Sequence, residues 1–324
     1  MKHVQFFDDF LRNTVNLNQS RIDKLDSHAD AIENFLNDHL DTFEEMESQG
    51  SYGLKTIIKP VKDSQEFDAD LVLYMTYEDG KEPKEYLGDL YKCFRSNRRY
   101  KDKVSRQTRC VTVKYAGDCH VDVVPCVTKD DGSMYVCNRK TNALEPTDGA
   151  GYKTWFNEKS SITNGHLKRV TRLLKFLRDH KTTFTAKSIL LTTLIGAEVH
   201  EEEEEDSDNF KNVPTALQTI SNRIAAFLQN NVVMPVIKNP ALPEENFNRH
   251  WDQEKYENFR KAFCRYNEKI NEAVDEQDHN KSVKKWREIF GDDFGQEKSE
   301  DKKAAIQSGT PAIVSVTPRK PYAS

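Results

Sequence analysis

Apolar positions recur at steps of three and four over the first forty-odd residues. Phe6, Phe7, Phe10 and Leu11 come first; after an Asn-rich break follow Ile22, Leu25, Ala29, Ile32, Phe35 and Leu36. That spacing predicts helix. Gly50-Ser51-Tyr52-Gly53 punctuates the chain, and the period then changes. Phe67 to Tyr74 alternates as a strand does, with Asp68 and Asp70 on one face. Glu82 to Ser96 reads as helix. Thr108 to Tyr115 and His120 to Val127 read as two strands joined by a Gly117-Asp118 turn. From about Trp155 the chain turns helical: His166 to His180 sets Leu167, Val170, Leu174 and Leu177 on one face. Ser188 to Ile195, Ala216 to Gln229 and Trp251 to Glu276 continue in that manner. The like-charge run Glu201 to Glu205 reads as a solvated loop. The final stretch, Gly295 to Ser324, mixes charge with Gly, Ser and Pro and reads as a flexible tail. The expected organisation is therefore α+β over 1–154, helical over 155–294, and a tail over 295–324.

Composition narrows the class. The 324 residues carry 48 Lys and Arg against 53 Asp and Glu, a net charge of −5. With 17 Phe and 12 Tyr the chain can bury a core, which excludes disorder throughout. No apolar run approaches the roughly 20 residues of a membrane span, and MKHVQFFDDF lacks a signal-peptide core. A soluble, cytoplasmic protein with no membrane partner is expected. Cys93, Cys110, Cys119, Cys126, Cys137 and Cys264 form no CxxC pair, so they read as reduced and structural, without zinc. The mildly acidic balance argues against stable nucleic-acid binding.

The candidate chemistry lies in an ordered set. Gly50-Ser51 follows a helix, Asp68-Ala69-Asp70 lies on a strand, and Asp122 stands in His120-Val121-Asp122-Val123-Val124-Pro125. Phe67, Ala69, Leu71, Val121 and Val123 point the other way and anchor the strands. Three carboxylates sharing an opening repel one another and call for a cation. Their hard oxygens suit Mg²⁺, which binds through carboxylates and substrate phosphates. Two such ions can activate an attacking hydroxyl and stabilise a departing pyrophosphate.

Gly50-Ser51, Asp68-x-Asp70 and Asp122 resemble the signature of the polymerase-β-like nucleotidyltransferases. The segments VNLNQSRIDKL, QGSYGLKTIIKP, FDADLVLYM, HVDVVPCV and LLKFLRDH with TAKSILLTTLIG are similar to one branch, the bacterial cGAS/DncV-like nucleotidyltransferases, or CD-NTases. The resemblance covers about residues 10–294. It implies an α+β fold, a nucleotidyltransferase core of mixed sheet and flanking helices packed on a C-terminal helical domain across a central cleft. The core would be 1–154 with its N-terminal helix, and the helical domain 155–294. It implies catalysis and metal binding by Asp68, Asp70 and Asp122, with two Mg²⁺ ions, or Mn²⁺ in their place. It also implies triphosphate binding by Gly50, Ser51, Lys175 and Ser188, and Lys55 stands where glycine is common. Lys168, Arg172 and Lys175 fall at steps of four and three, as a basic ridge opposite the leucine stripe would. Tyr152, Trp155 and Asn138 are candidates to approach a base, although core packing accounts equally for Trp155.

The activity the resemblance implies is condensation of nucleoside triphosphates, ATP among them, into a cyclic di- or trinucleotide. In that family the product signals to an effector in CBASS antiphage defence, and some members are conjugated through their C-terminus by a ubiquitin-transfer-like partner. A linear oligonucleotide synthase, an RNA- or small-molecule-modifying enzyme, and an inactive nucleotide-binding scaffold remain the alternatives.

Overall fold

The computed structural model describes residues 1–61, 67–116, 119–182, 185–203 and 208–296. The expected Gly117-Asp118 turn, most of the acidic run's second half and the tail from 297 lie outside them.

The chain opens with α1 (Val4–Phe10), runs through a π-helical turn (Leu11–Val15), and continues as α2 (Gln19–His39). Asn18 caps α2 by accepting the Arg21 N–H, as the break between the two apolar patterns foreshadows. The sheet layer follows as β1 (Phe43–Gln49), α3 (Gly50–Gly53), β2 (Phe67–Thr76), α4 (Pro83–Ser96), β3 (Val104–Arg106), β4 (Val111–Tyr115), β5 (Cys119–Thr128), β6 (Met134–Asn138) and β7 (Ala143–Pro146). These strands make one sheet in the order β1-β2-β5-β4-β3, with β6 and β7 extending from β5. β2 and β5 run parallel, which places Asp70 beside Asp122; β1 and β4 pair antiparallel to them on either side. The alternating pattern of β2 and β5 turns Phe67, Ala69, Leu71, Val121 and Val123 into a core shared with α2 and α4, including Ile32, Leu36, Leu87, Leu90 and Phe94.

The helical layer comprises α5 (Gly149–Ile162), α6 (His166–Lys181), α7 (Ser188–Ala197), α8 (Val213–Asn230), α9 (Gln253–Asp275) and α10 (His279–Phe290). Leu167, Val170, Leu174 and Leu177 are buried as expected, in a core that also takes in Trp251, Tyr256, Phe259 and Trp286. Phe7, Phe10, Leu11 and Val15 lie in this core and not in the sheet's, so the first helix packs with the last ones. No helix among the described residues is long and apolar enough to cross a membrane.

Several elements were not expected, among them β1, β3, β6, β7 and α10. β1 is an edge strand of mostly polar residues whose only buried side chain is Met46, so it carries no apolar alternation. β6 and β7 are short and half-buried. α10 does bury Val283, Trp286, Ile289 and Phe290 at helical spacing.

Candidate active site

The end of β1 turns into α3 at Gly50, whose φ of +59° is left-handed backbone that favours glycine. A Cβ there would run into the Asp70 carboxylate, so glycine serves both the turn and the close approach. Lys55, at the position where glycine is common, also holds left-handed backbone with φ +57°, a conformation that costs a non-glycine residue about 1–2 kcal/mol.

A cleft of about 660 Å³ opens between the sheet and the helical layer, within the range of roughly 300–1,000 Å³ typical of small-molecule sites. Gly50, Ser51, Asp68, Asp70, Lys175 and Ser188 all line it. An adjoining recess of about 330 Å³ is bounded again by Ser51, Asp68, Lys175 and Ser188, together with Arg178. Residues up to 138 positions apart in the chain, expected from motifs alone, thus share one opening.

Asp122 sits differently. It is Asp70's neighbour across the parallel ladder, but it does not line the cleft surface, and one of its oxygens accepts the Thr112 hydroxyl at 2.5 Å. Among the described residues no three acidic, histidine or cysteine side chains are gathered around a common metal position. The charge pattern nonetheless favours a cation. Burial, Asp68 and Asp122 together push Asp70 up to about 7, with Lys175 acting against them. A carboxylate that resists ionisation beside two others lacks positive charge, and the all-oxygen donor set fits Mg²⁺ or Mn²⁺.

Lys175 is buried, 3% exposed. Burial and Arg178 pull it down to about 7, while Asp68, Asp179 and Asp70 favour its charged form. Its ammonium donates to the Thr56 hydroxyl at 3.1 Å and carbonyl at 3.2 Å. The expected basic ridge divides: Lys168 borders a separate recess with Lys55, and only Lys175 reaches the cleft. The cause is the packing of α6, which is buried on nearly every side from Leu173 to Leu177 and leaves no continuous polar face. Tyr152 lines the cleft, its hydroxyl bonded to Thr193 at 2.9 Å. Trp155 packs on the helical core. Asn138 donates to Glu145 and receives the Lys140 and Thr141 N–H groups, a turn-forming role.

The family model for the Second Messenger Oligonucleotide or Dinucleotide Synthetase domain matches residues 1–160, a span that contains all three aspartates. Residues 1–160 thus carry a synthetase domain of the oligonucleotide and dinucleotide class. The chain is 25% identical over 274 residues to the c-di-GMP synthase of Roseivirga ehrenbergii, covering 74% of this chain and 71% of that protein. Its fold matches E. coli MS115-1 CdnC, solved with ATP, at a TM-score of 0.71 and 20% identity, over 90% of this chain and 99% of the other. It also matches the Vibrio cholerae cyclic AMP-GMP synthase DncV at 0.68 and 15% identity, over 92% and 98%.

Three residues around the site escape motif reading. Arg178 donates to the Ser188 hydroxyl at 3.2 Å and to the Ala186 carbonyl at 2.9 Å, and pairs with Asp179 at 2.7 Å. It thereby fixes the start of α7. Thr56 holds Lys175, and Thr112 holds Asp122. Thr112 could have been found from the hairpin register, since it stands opposite Asp122; Arg178 and Thr56 act across layers, which no local pattern records.

Proposed function

We propose that this enzyme condenses two nucleoside triphosphates into a cyclic dinucleotide, with release of pyrophosphate at each bond. The observation that carries the reading is the shared cleft: carboxylates on the sheet side face Lys175 and Ser188 on the helical side. The names of the similar proteins, a c-di-GMP synthase and a cyclic AMP-GMP synthase, support the same product class.

Gly50 and Ser51 receive the donor triphosphate on backbone N–H groups and a hydroxyl. Lys175 and Ser188 hold its outer phosphates from the opposite wall. Asp68, Asp70 and Asp122 would hold two Mg²⁺ or Mn²⁺ ions, which supply charge to offset the reacting phosphate and the departing pyrophosphate. The acceptor ribose hydroxyl attacks the α-phosphorus, and the bond from that phosphorus to the bridging oxygen breaks. The hydroxyl proton passes to the Asp122 oxygen that Thr112 leaves free. The linear intermediate then turns so that its own hydroxyl meets its own triphosphate, and effective concentration favours ring closure over a new acceptor. Signalling by this product to an effector in antiphage defence completes the proposal, on the strength of the family.

Incubating the full chain with the four triphosphates and Mg²⁺, then with excess phosphatase, tests the reading. A phosphatase-resistant cyclic product is expected. Only nucleosides and linear dinucleotides would overturn it, and linear chains that lengthen with time would point to an oligoadenylate-type synthase.

A further inference from the structure

The cleft has a far wall that the phosphate and carboxylate residues leave unused. Between α8 and α9 the chain forms a small hairpin, with a bridge from Lys238 to Asn246 and the Asn239 N–H bonded to the Glu245 carbonyl at 2.9 Å. Phe247, 3% exposed and edge-on to Tyr152, anchors it. The hairpin places Glu245 and Arg249 on the surface of the same cleft as Asp68 and Asp70.

Of the carboxylates on this wall, Glu145 and Glu245 differ in what they have left to offer. Glu145 is engaged by Arg109 through both oxygens and by Asn138 at 2.6 Å. Among the described residues the Glu245 carboxylate receives one hydrogen bond, from Asn239 to Oε2 at 2.8 Å. Its Oε1 lies 3.8 Å from the Arg249 guanidinium, beyond hydrogen-bond range. The side chain is 15% exposed, and burial, Asp148 and Glu145 all disfavour its charge, with Asn239 and Arg249 opposing them. It is a carboxylate short of donors. Since each carboxylate oxygen has two acceptor sites, both Oε1 and Oε2 can take another.

We propose that Glu245 and Arg249 read a guanine base, so that at least one of the nucleotides joined is GTP. The proposal rests on the nucleotidyltransferase reading above. Arg249, Oε1 and Oε2 present donor, acceptor, acceptor. Guanine's Watson–Crick edge presents O6, N1–H and the N2 amine: acceptor, donor, donor. Adenine sets its N1 lone pair against a carboxylate, uracil its O2, and cytosine both N3 and O2. Hypoxanthine keeps O6 and N1–H but lacks the amine. Well-made contacts of this type discriminate by about 1–3 kcal/mol, or roughly 5- to 150-fold.

The test is equilibrium binding of non-hydrolysable guanosine, adenosine and inosine triphosphates to the full chain, together with the base composition of the product. Guanosine is expected to bind at least about 5-fold more tightly than either competitor, and every cyclic product to contain guanine. Glu245→Gln, which replaces one acceptor by a donor, is expected to bring guanosine down to the level of adenosine. Equal binding of guanosine and adenosine by the wild type, a product free of guanine, or a preference that survives in Glu245→Gln would each overturn the inference and leave the synthase reading standing. Failure of all three nucleotides to bind would remove both.

Discussion

At the scale of single residues, the site is a problem of charge. Asp70 is flanked by Asp68 two positions along its strand and by Asp122 on the next, and burial raises it further. Asp68 and Asp70 also help to keep buried Lys175 charged. Replacing Asp68 and Asp70 together by Asn therefore has two opposed effects on the free protein: repulsion is relieved, and Lys175 loses counter-charges. The double variant Asp68→Asn/Asp70→Asn is expected to melt within about 4 °C of the wild type, the scale of roughly 1 kcal/mol in a chain of this size. Synthesis should fall at least about 100-fold, because preorganised charge at a reacting phosphate is worth that much or more. Product formation and thermal melting, measured on one preparation, check both parts. Substantial synthesis by the double variant would remove these aspartates from the chemistry.

At the scale of elements, legibility followed the range of the interactions. β2 and β5 could be read because period-two alternation fixes which face each Asp takes, and the leucine stripe of α6 because its period is helical. β1 could not: an edge strand with one buried side chain has little pattern to show. The acidic run illustrates the same limit. It reads as a solvated loop, and Glu201 is exposed, yet Glu203 is clamped. Arg223 on α8 donates to both its oxygens at 2.7 and 2.8 Å, and the His200 N–H and the Asn209 amide add bonds at 3.0 Å each. Burial opposes ionisation of Glu203, but these donors outweigh it and bring the group from 4.5 down to about 2. Because its folded value is depressed, the tie contributes stability above about 4.5 and loses it as pH falls towards about 2. With allowance for solvent screening, Glu203→Gln is expected to cost about 1 kcal/mol at pH 7. The difference from wild type should shrink through that acid window in urea unfolding. A difference that stays constant with pH would mean that packing, and not charge, is what the clamp provides.

At the scale of the whole molecule, α1 and α10 meet in the helical layer and pack on α6. Phe7 meets Trp286 and Phe294 edge-on, each at 4.9 Å between ring centres, and Phe290 at 6.0 Å. Phe10 meets Phe176 at 5.2 Å, next to Lys175 on α6. α1, α10 and α6, the helix that carries Lys175, thus share one aromatic cluster. The sheet has a core of its own around Tyr86, Leu90 and Phe94. Truncating a fully buried phenylalanine costs about 3–5 kcal/mol, and for Phe7 the loss should fall unevenly. Phe7→Ala is expected to lower stability by that amount while amide exchange quickens in α1, α10 and α6 and stays slow in β2 and β5. Such a pattern would mean that Lys175 can be displaced from the cleft without disturbing Asp68, Asp70 and Asp122. Triphosphate affinity would then weaken before the sheet unfolds. If exchange instead rose equally in the sheet and the helices, or if the loss were under about 1 kcal/mol, the aromatic cluster would not be what holds α6 over the carboxylates.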